Sequence, residues 1–158
     1  NQDEIQGYAT LSQIIRADAY RGRRVRFSGY LRSREFGKSA ALWFSANGAE
    51  GYQLEFGNTT KPATTDWQKY EVVLDVPEDS LTMSFGFILN GSGQLWGDDF
   101  RLEIVDADVP VTGQSGTRER NQVQFLNRPE AERLRAIQMA QANAKRLPLK
   151  PVNLDFEQ

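Results

Sequence analysis

The chain has 158 residues, with 19 Lys and Arg against 21 Asp and Glu and a formal charge of −2. That is the size of one ordinary domain, and the balance calls for neither nucleic acid nor an anionic membrane as partner. Cysteine and histidine are both absent, which excludes disulfides, thiolate metal sites, a cysteine nucleophile, the Ser-His-Asp triad and the HExxH zinc site.

Asn1-Gln2-Asp3-Glu4 is polar and acidic, unlike the start of a signal peptide. No apolar run approaches the ~20 residues of a membrane helix. Tyr8 to Ile15 is a short mixed run in which Thr10, Ile14 and Ile15 favour extended structure. After a turn at Tyr20-Arg21-Gly22-Arg23, Val25, Phe27, Gly29 and Leu31 alternate with Arg24, Arg26, Ser28 and Tyr30, the period of a half-buried strand. Ala40 to Ala46 and Tyr52 to Phe56 read as two more strands around the turn Asn47-Gly48-Ala49-Glu50-Gly51. The polar stretch from Gly57 to Asp66 reads as a long loop. Trp67 to Val76 carries Tyr70, Val72, Leu74 and Val76 on one face. Thr82 to Leu89 carries Met83, Phe85, Phe87 and Leu89 on one face. Asn90-Gly91-Ser92-Gly93 reads as a hairpin turn. Gln94 to Trp96 and Phe100 to Val105 complete the set, and many short strands with regular turn signals predict an all-β sandwich or barrel.

The character changes after Asp106. Residues 107–126 form a linker rich in Pro, Gly, Ser and Thr. Residues 127–147 form a helix, opened by Asn127-Arg128-Pro129-Glu130, close to a capping box. Its apolar stripe is Ala131, Leu134, Ile137, Ala140, Ala144 and Leu147. It lacks aromatic anchors, and packing on its own domain or a partner outweighs membrane or nucleic-acid binding. Pro148 and Pro151 stop the helix, and residues 148–158 read as an extended strand. The first 106 residues form the domain proper.

Two segments resemble a known family. Trp67-Gln68-Lys69-Tyr70 followed by alternating apolar residues and Val76-Pro77-Glu78-Asp79 is similar to a strand of the galactose-binding-like carbohydrate-binding modules. Leu95-Trp96-Gly97-Asp98-Asp99-Phe100 is similar to their final strand. The resemblance covers roughly residues 8–105. It implies a jelly-roll β-sandwich, a saccharide ligand and a setting that is extracellular or at the cell surface. Domains of this kind also stand beside bacterial transcription regulators and secreted esterase-like or protease-like proteins, where the ligand need not be a sugar. Such modules begin with a strand of the type N-x-D-F-E. Here Asn153-Leu154-Asp155-Phe156-Glu157 lies at the far end instead, as a displaced terminal strand.

Five sets of residues carry the candidate chemistry. Trp43, Phe44, Tyr52 and Trp96 are candidates for a sugar platform, since a pyranose stacks its C–H face on an aromatic ring. Adjacent Trp43 and Phe44 must point to opposite faces of a regular strand. The resemblance implies a structural calcium at Asp98, Asp99 and Glu157, oxygen donors of the hard type that calcium takes. Arg21, Arg23, Arg24, Arg26, Arg32 and Arg34 crowd one region, where pairing with Asp and Glu on a solvated face outweighs recognition of an anionic sugar. Glu50, Glu55, Asp66 and Asp98 supply carboxylates, but no spacing selects a catalytic pair, so the expectation is a non-catalytic ligand-binding module.

The last set concerns assembly. Leu154 and Phe156 fall on one face of an extended strand. Burying both would stabilise by roughly 3–6 kcal/mol as an upper estimate. The strand either closes its own sandwich or enters a neighbour, giving a swapped dimer or head-to-tail assembly. The long linker tilts the expectation toward the neighbour, which makes self-association the alternative function.

Overall fold

The computed structural model describes residues 7–34, 38–51, 53–60, 65–113, 123–152 and 154. Period-two patterning yields seven strands: β1 (Tyr8–Arg16), β2 (Arg24–Arg34), β3 (Ser39–Asn47), β4 (Gln53–Thr60), β5 (Thr65–Asp75), β6 (Thr82–Asn90) and β7 (Gln94–Val105). They form two antiparallel sheets. Sheet I has the order β1-β6-β3-β4, and sheet II has the order β5-β2-β7. Chain-adjacent strands mostly change sheet, the wiring of a jelly roll. The fold is therefore the expected all-β sandwich with one long helix after it.

The core lies between the sheets. Val25, Phe27 and Leu31 of β2 face Leu42, Phe44 and Ala46 of β3, joined by Tyr70, Val72 and Leu74 of β5 and by Met83 and Phe85 of β6. Phe27 is the hub, with ring centroids 5.0 Å from Phe85, 5.7 Å from Phe100 and 6.4 Å from Phe44. A fully buried Phe contributes about 1.5–3 kcal/mol of transfer free energy. These rings therefore supply much of the force that holds the two sheets together.

One irregularity shapes β7. The register against β2 shifts between Ser28 and Tyr30, where Ser28 pairs with Arg101 and Tyr30 with Asp98. Asp99 sits there at φ 47°, the left-handed region. The bulge turns Phe100 inward over Gly29, where an added Cβ would lie 2.2 Å from the ring. Only glycine leaves room at that position.

Several expectations change. The long loop from Gly57 to Asp66 shrinks, because β4 runs to Thr60 and β5 starts at Thr65. The two last strands are one continuous strand, β7. The turn at Asn90-Gly91-Ser92-Gly93 is no hairpin, since β6 belongs to sheet I and β7 to sheet II. It carries the chain between sheets, with Gly91 at φ 83° and Gly93 at φ 127°.

The segment after β7 is docked rather than loose. Arg24 donates from Nη1 to the carbonyls of Ala107 (2.5 Å) and Val109 (2.7 Å). Thr112 then pairs with Val73 at the free edge of β5, its N–H donating to the Val73 carbonyl at 3.0 Å and its Oγ1 accepting from the Val73 N–H at 2.9 Å. After a helical turn at residues 123–126, helix α1 runs over Glu130–Ala144. The capping box does not form: Pro129 is the N-cap and no side chain caps the helix. Arg128 instead donates to Glu50 on the β3–β4 connection at 2.6 Å. The predicted stripe holds in its second half, where Ala144 is buried and Ile137, Ala140 and Leu147 are half-buried, but Ala131 and Leu134 are exposed and Ala136, outside the stripe, is buried.

The chain then returns to its own sandwich. The Arg16 N–H donates to the Pro148 carbonyl at 2.9 Å, and the Phe100 N–H donates to the Leu154 carbonyl at 3.1 Å. The described parts of the tail thus meet the sandwich at the β5 edge and again between β1 and β7. These contacts seat Pro148 and Leu154 on the sandwich of the same chain. Helix α1 lies at the end of the sandwich, beside the β3–β4 connection.

Candidate functional site

The four aromatic candidates do not form one platform. Phe44 is 0% exposed and belongs to the core, so it is withdrawn as a ligand contact. Trp43 points the other way, half-buried on the outer face of sheet I. Trp96 lies on β7 in sheet II and is 37% exposed. Tyr52 lies outside the described residues.

Sheet register builds the surface around Trp43. Its row across sheet I is Ser12, Gly86, Trp43 and Asn58. Gly86 adds no side chain next to the indole. The flanking rows bring Thr10, Ile88 and Ala41 on one side and Ile14, Ser84, Ser45 and Phe56 on the other. Hydrogen bonds order this polar surface: Asn47 Nδ2 donates to Ser84 Oγ at 3.0 Å, and Thr10 Oγ1 donates to the Phe87 carbonyl at 3.0 Å. The face is uncharged at its centre, where the Trp43 indole sits among Ser12, Ser84 and Asn58, with Ile14, Ile88 and Phe56 beside them. That chemistry suits a neutral polyhydroxylated ligand.

The outer face of sheet II differs. Arg24 holds Asp75 through two bonds, Nε to Oδ1 at 2.8 Å and Nη2 to Oδ2 at 2.9 Å. The guanidinium lowers the Asp75 pKa, and the carboxylate raises that of Arg24. Arg26 bridges Glu103 (3.2 Å) and Glu71 (3.9 Å), and Arg101 pairs with Asp99 at 3.1 Å. The arginine-rich strand is therefore a charge-paired face. At its far end Arg32 lies 5.4 Å above the Trp96 ring, with Trp67 43% and Tyr30 38% exposed. Tyr30 and Arg32 share a strand face in the alternation of β2, but cross-strand register, which brings Trp96 beside Arg32, is not written in the sequence.

Of the calcium trio, Glu157 lies outside the described residues. The Asp98 carboxylate accepts from the Asp99 N–H at 2.8 Å, and the Asp99 carboxylate is engaged by Arg101. Among the described residues no group of three Asp or Glu converges to hold a metal. The two aspartates do not by themselves provide the six to eight oxygens that calcium takes.

Leu154 packs partly buried against the core, while Phe156 lies outside the described residues. A latch that the sequence did not announce secures the tail. The Gln13 amide clamps Val152, donating from Nε2 to its carbonyl (2.5 Å) and accepting at Oε1 from its N–H (3.0 Å). Phe27, Phe85, Phe87 and Phe100, with Leu154 above them, line a pocket of about 160 Å³ beneath this latch.

Fold and site together define a jelly-roll sandwich with an uncharged aromatic-polar outer face and a tail folded back on itself. No family model matches the chain. It is 40% identical over 112 residues to the uncharacterized HTH-type transcriptional regulator YbfP of Bacillus subtilis (strain 168). The match covers 69% of this chain and 38% of that regulator. Among solved structures, the chain is similar to a protein described under CBM4 structure and function, at 18% identity, TM-score 0.48 and 61% of each chain. It is also similar to the enzymatically active domain of bacteriophage CBA120 tailspike protein 4, at 14% identity and TM-score 0.49, over 62% of this chain and 14% of that one. The CBM22-1–GH10 modules of Clostridium thermocellum xylanase 10B, complexed with xylohexaose, match at 9% identity and TM-score 0.42, over 66% of this chain and 27% of that one. Likenesses of this degree concern the arrangement of strands and not the ligand.

Proposed function

We propose that this chain is a non-catalytic ligand-binding module whose saccharide surface is the outer face of sheet I around Trp43. The observation that carries the reading is the row Ser12, Gly86, Trp43 and Asn58, which sets an indole beside a position without a side chain and between polar groups. A sugar ring stacked there would meet hydroxyl and amide partners within one residue spacing. A calorimetric screen against soluble xylans, β-glucans and galactans tests it. Binding that weakens at least tenfold, about 1.4 kcal/mol, in Trp43→Ala supports the reading. Failure to bind any member of the panel refutes the saccharide assignment.

A second reading follows from the regulator match, at 40% identity over 112 residues. Under it, the module senses a small ligand on behalf of a DNA-binding domain in a longer protein. A ligand found in the screen should then change operator binding by the full-length protein. Self-association by strand donation is the alternative: a donated tail would make the Gln13 and Phe100 contacts on a neighbour in place of its own sandwich. Light scattering that gives the mass of a monomer would refute it.

A further inference from the structure

The edges of the two sheets are treated differently. Thr112 pairs with Val73 along the edge of β5, and the Phe100 N–H of β7 bonds the Leu154 carbonyl. β4 carries a charged side chain, Glu55. The edge of β1 is open. The Arg16 N–H reaches outward to the Pro148 carbonyl at 2.9 Å. By strand alternation the backbone groups of Tyr8, Thr10, Ser12 and Ile14 point the same way, away from β6. Among the described residues, no backbone group pairs with these four along that edge.

The strand is also chemically unguarded. Tyr8 to Ile15 contains no charge and no proline, and its register against β6 runs without a bulge. Natural edge strands carry such devices because an open edge templates pairing with another chain. Here β1 instead exposes three large apolar side chains, Tyr8 at 71%, Leu11 at 51% and Ile14 at 49%.

The order of residues in β1 selects the occupant. Two copies of the strand, antiparallel about a two-fold axis at Leu11, set Tyr8 against Ile14 at both ends and Thr10 against Ser12. Ala9 then faces Gln13, and Leu11 faces its own copy. The outward-pointing residues meet as hydrogen-bonded pairs, which satisfies the open edge. The exposed apolar groups meet as well, aromatic on β-branched on the outer face and leucine on leucine on the inner. No like charges approach. The pairing stops short of Arg16, whose N–H is taken by Pro148, and puts the small Ala9 beside Gln13, which holds Val152. A slide by one pair in one direction drives Tyr8 onto Arg16. A slide in the other sets Tyr8 against Ser12 and parts it from Ile14.

We propose that β1 is a homodimer interface, at which a second copy of this chain adds its own β1 edge to edge about Leu11. The two four-stranded sheets then become one sheet of eight, order β4-β3-β6-β1 continued by its mirror. Both Trp43 faces lie on the same side of it, five strand spacings or about 24 Å apart. A polysaccharide spanning both gains avidity. That consequence rests on the saccharide reading, whereas the pairing itself does not. So short an edge makes a small interface, and the expected dissociation constant is on the order of 100 µM.

Sedimentation equilibrium and amide exchange test the pairing, without saccharide, from about a tenth to about ten times that concentration. The mass should rise from monomer toward dimer. Exchange should slow with concentration at the Thr10, Ser12 and Ile14 amides and stay constant at Leu11 and Gln13, whose N–H groups face β6. Two double variants fix the register. Tyr8→Lys/Ile14→Lys sets like charges across both ends, and Tyr8→Glu/Ile14→Lys sets opposite charges there. Within one strand the two positions lie about 20 Å apart, beyond the reach of screened charge, so a difference between the variants arises between copies. The like-charge variant should dimerise at least tenfold more weakly than the opposite-charge one. The proposal is overturned by a parent that stays monomeric throughout. It is equally overturned by a dimer that leaves those three amides unprotected, as tail donation would, or by an opposite-charge variant that dimerises no better than the like-charge one.

Discussion

The sandwich and the tail packed against it are held in different ways. Between the sheets, Phe27, Phe44, Phe85 and Phe100 interlock, and each is no more than 5% exposed. Around them the tail is held at spaced points: the Arg24 contacts to residues 107 and 109, Thr112 on β5, Arg128 on Glu50, Gln13 on Val152 and Leu154 over the core. Interdigitated apolar packing resists change as a unit, whereas a series of polar contacts can open one at a time. The lesson is that one chain can carry a rigid scaffold and a separable belt, the belt closing against the edge of β7.

Breaking the core should have the largest effect. Phe27→Ala removes the ring that touches three others and should cost about 3–5 kcal/mol, read from the shift in denaturant midpoint. Gly29→Ala should cost about 1–3 kcal/mol, because the new methyl collides with Phe100. A tail substitution should be milder. Leu154→Ala should cost roughly 1–2 kcal/mol, below the range for fully buried leucines because the side chain is only partly buried. It should also speed amide exchange at Phe100, whose N–H bonds the Leu154 carbonyl. Equal losses from Phe27→Ala and Leu154→Ala would break the distinction between scaffold and belt.

The surface pair Arg24–Asp75 should contribute least. Its carboxylate is held below the usual range by the Arg24 hydrogen bonds. A lowered carboxyl pKa adds stability above the ordinary value of about 3.9 and loses it as pH falls through the folded value. Asp75 is 62% exposed, so solvent screening keeps the effect small, under about 1 kcal/mol. Asp75→Asn should therefore destabilise slightly at pH 7, with the difference from the parent vanishing in strong acid.

Alternation made the sandwich legible. The Val25–Leu31 and Tyr70–Val76 patterns state which side chains face inward, and the opposition of Trp43 and Phe44 follows from the same rule. What escaped depends on contacts between residues distant in sequence. The Asn90–Gly93 turn looks the same whether the next strand pairs locally or crosses to the other sheet. The helix stripe was legible from Ile137 to Leu147 but not in its first turns, where α1 meets the sandwich through Ala136, a side chain with little hydrophobic signal. Of the platform candidates, Trp43 and Trp96 sit on opposite sheets, a separation that register reveals and spacing does not.

The most direct test of the account compares those two tryptophans. Calorimetry of the parent, Trp43→Ala and Trp96→Ala should be run with whichever polysaccharide from the xylan, β-glucan and galactan panel the parent binds. The account predicts at least a tenfold loss in Trp43→Ala and near-parent affinity in Trp96→Ala. Retained affinity in Trp43→Ala, or a loss confined to Trp96→Ala, would contradict it.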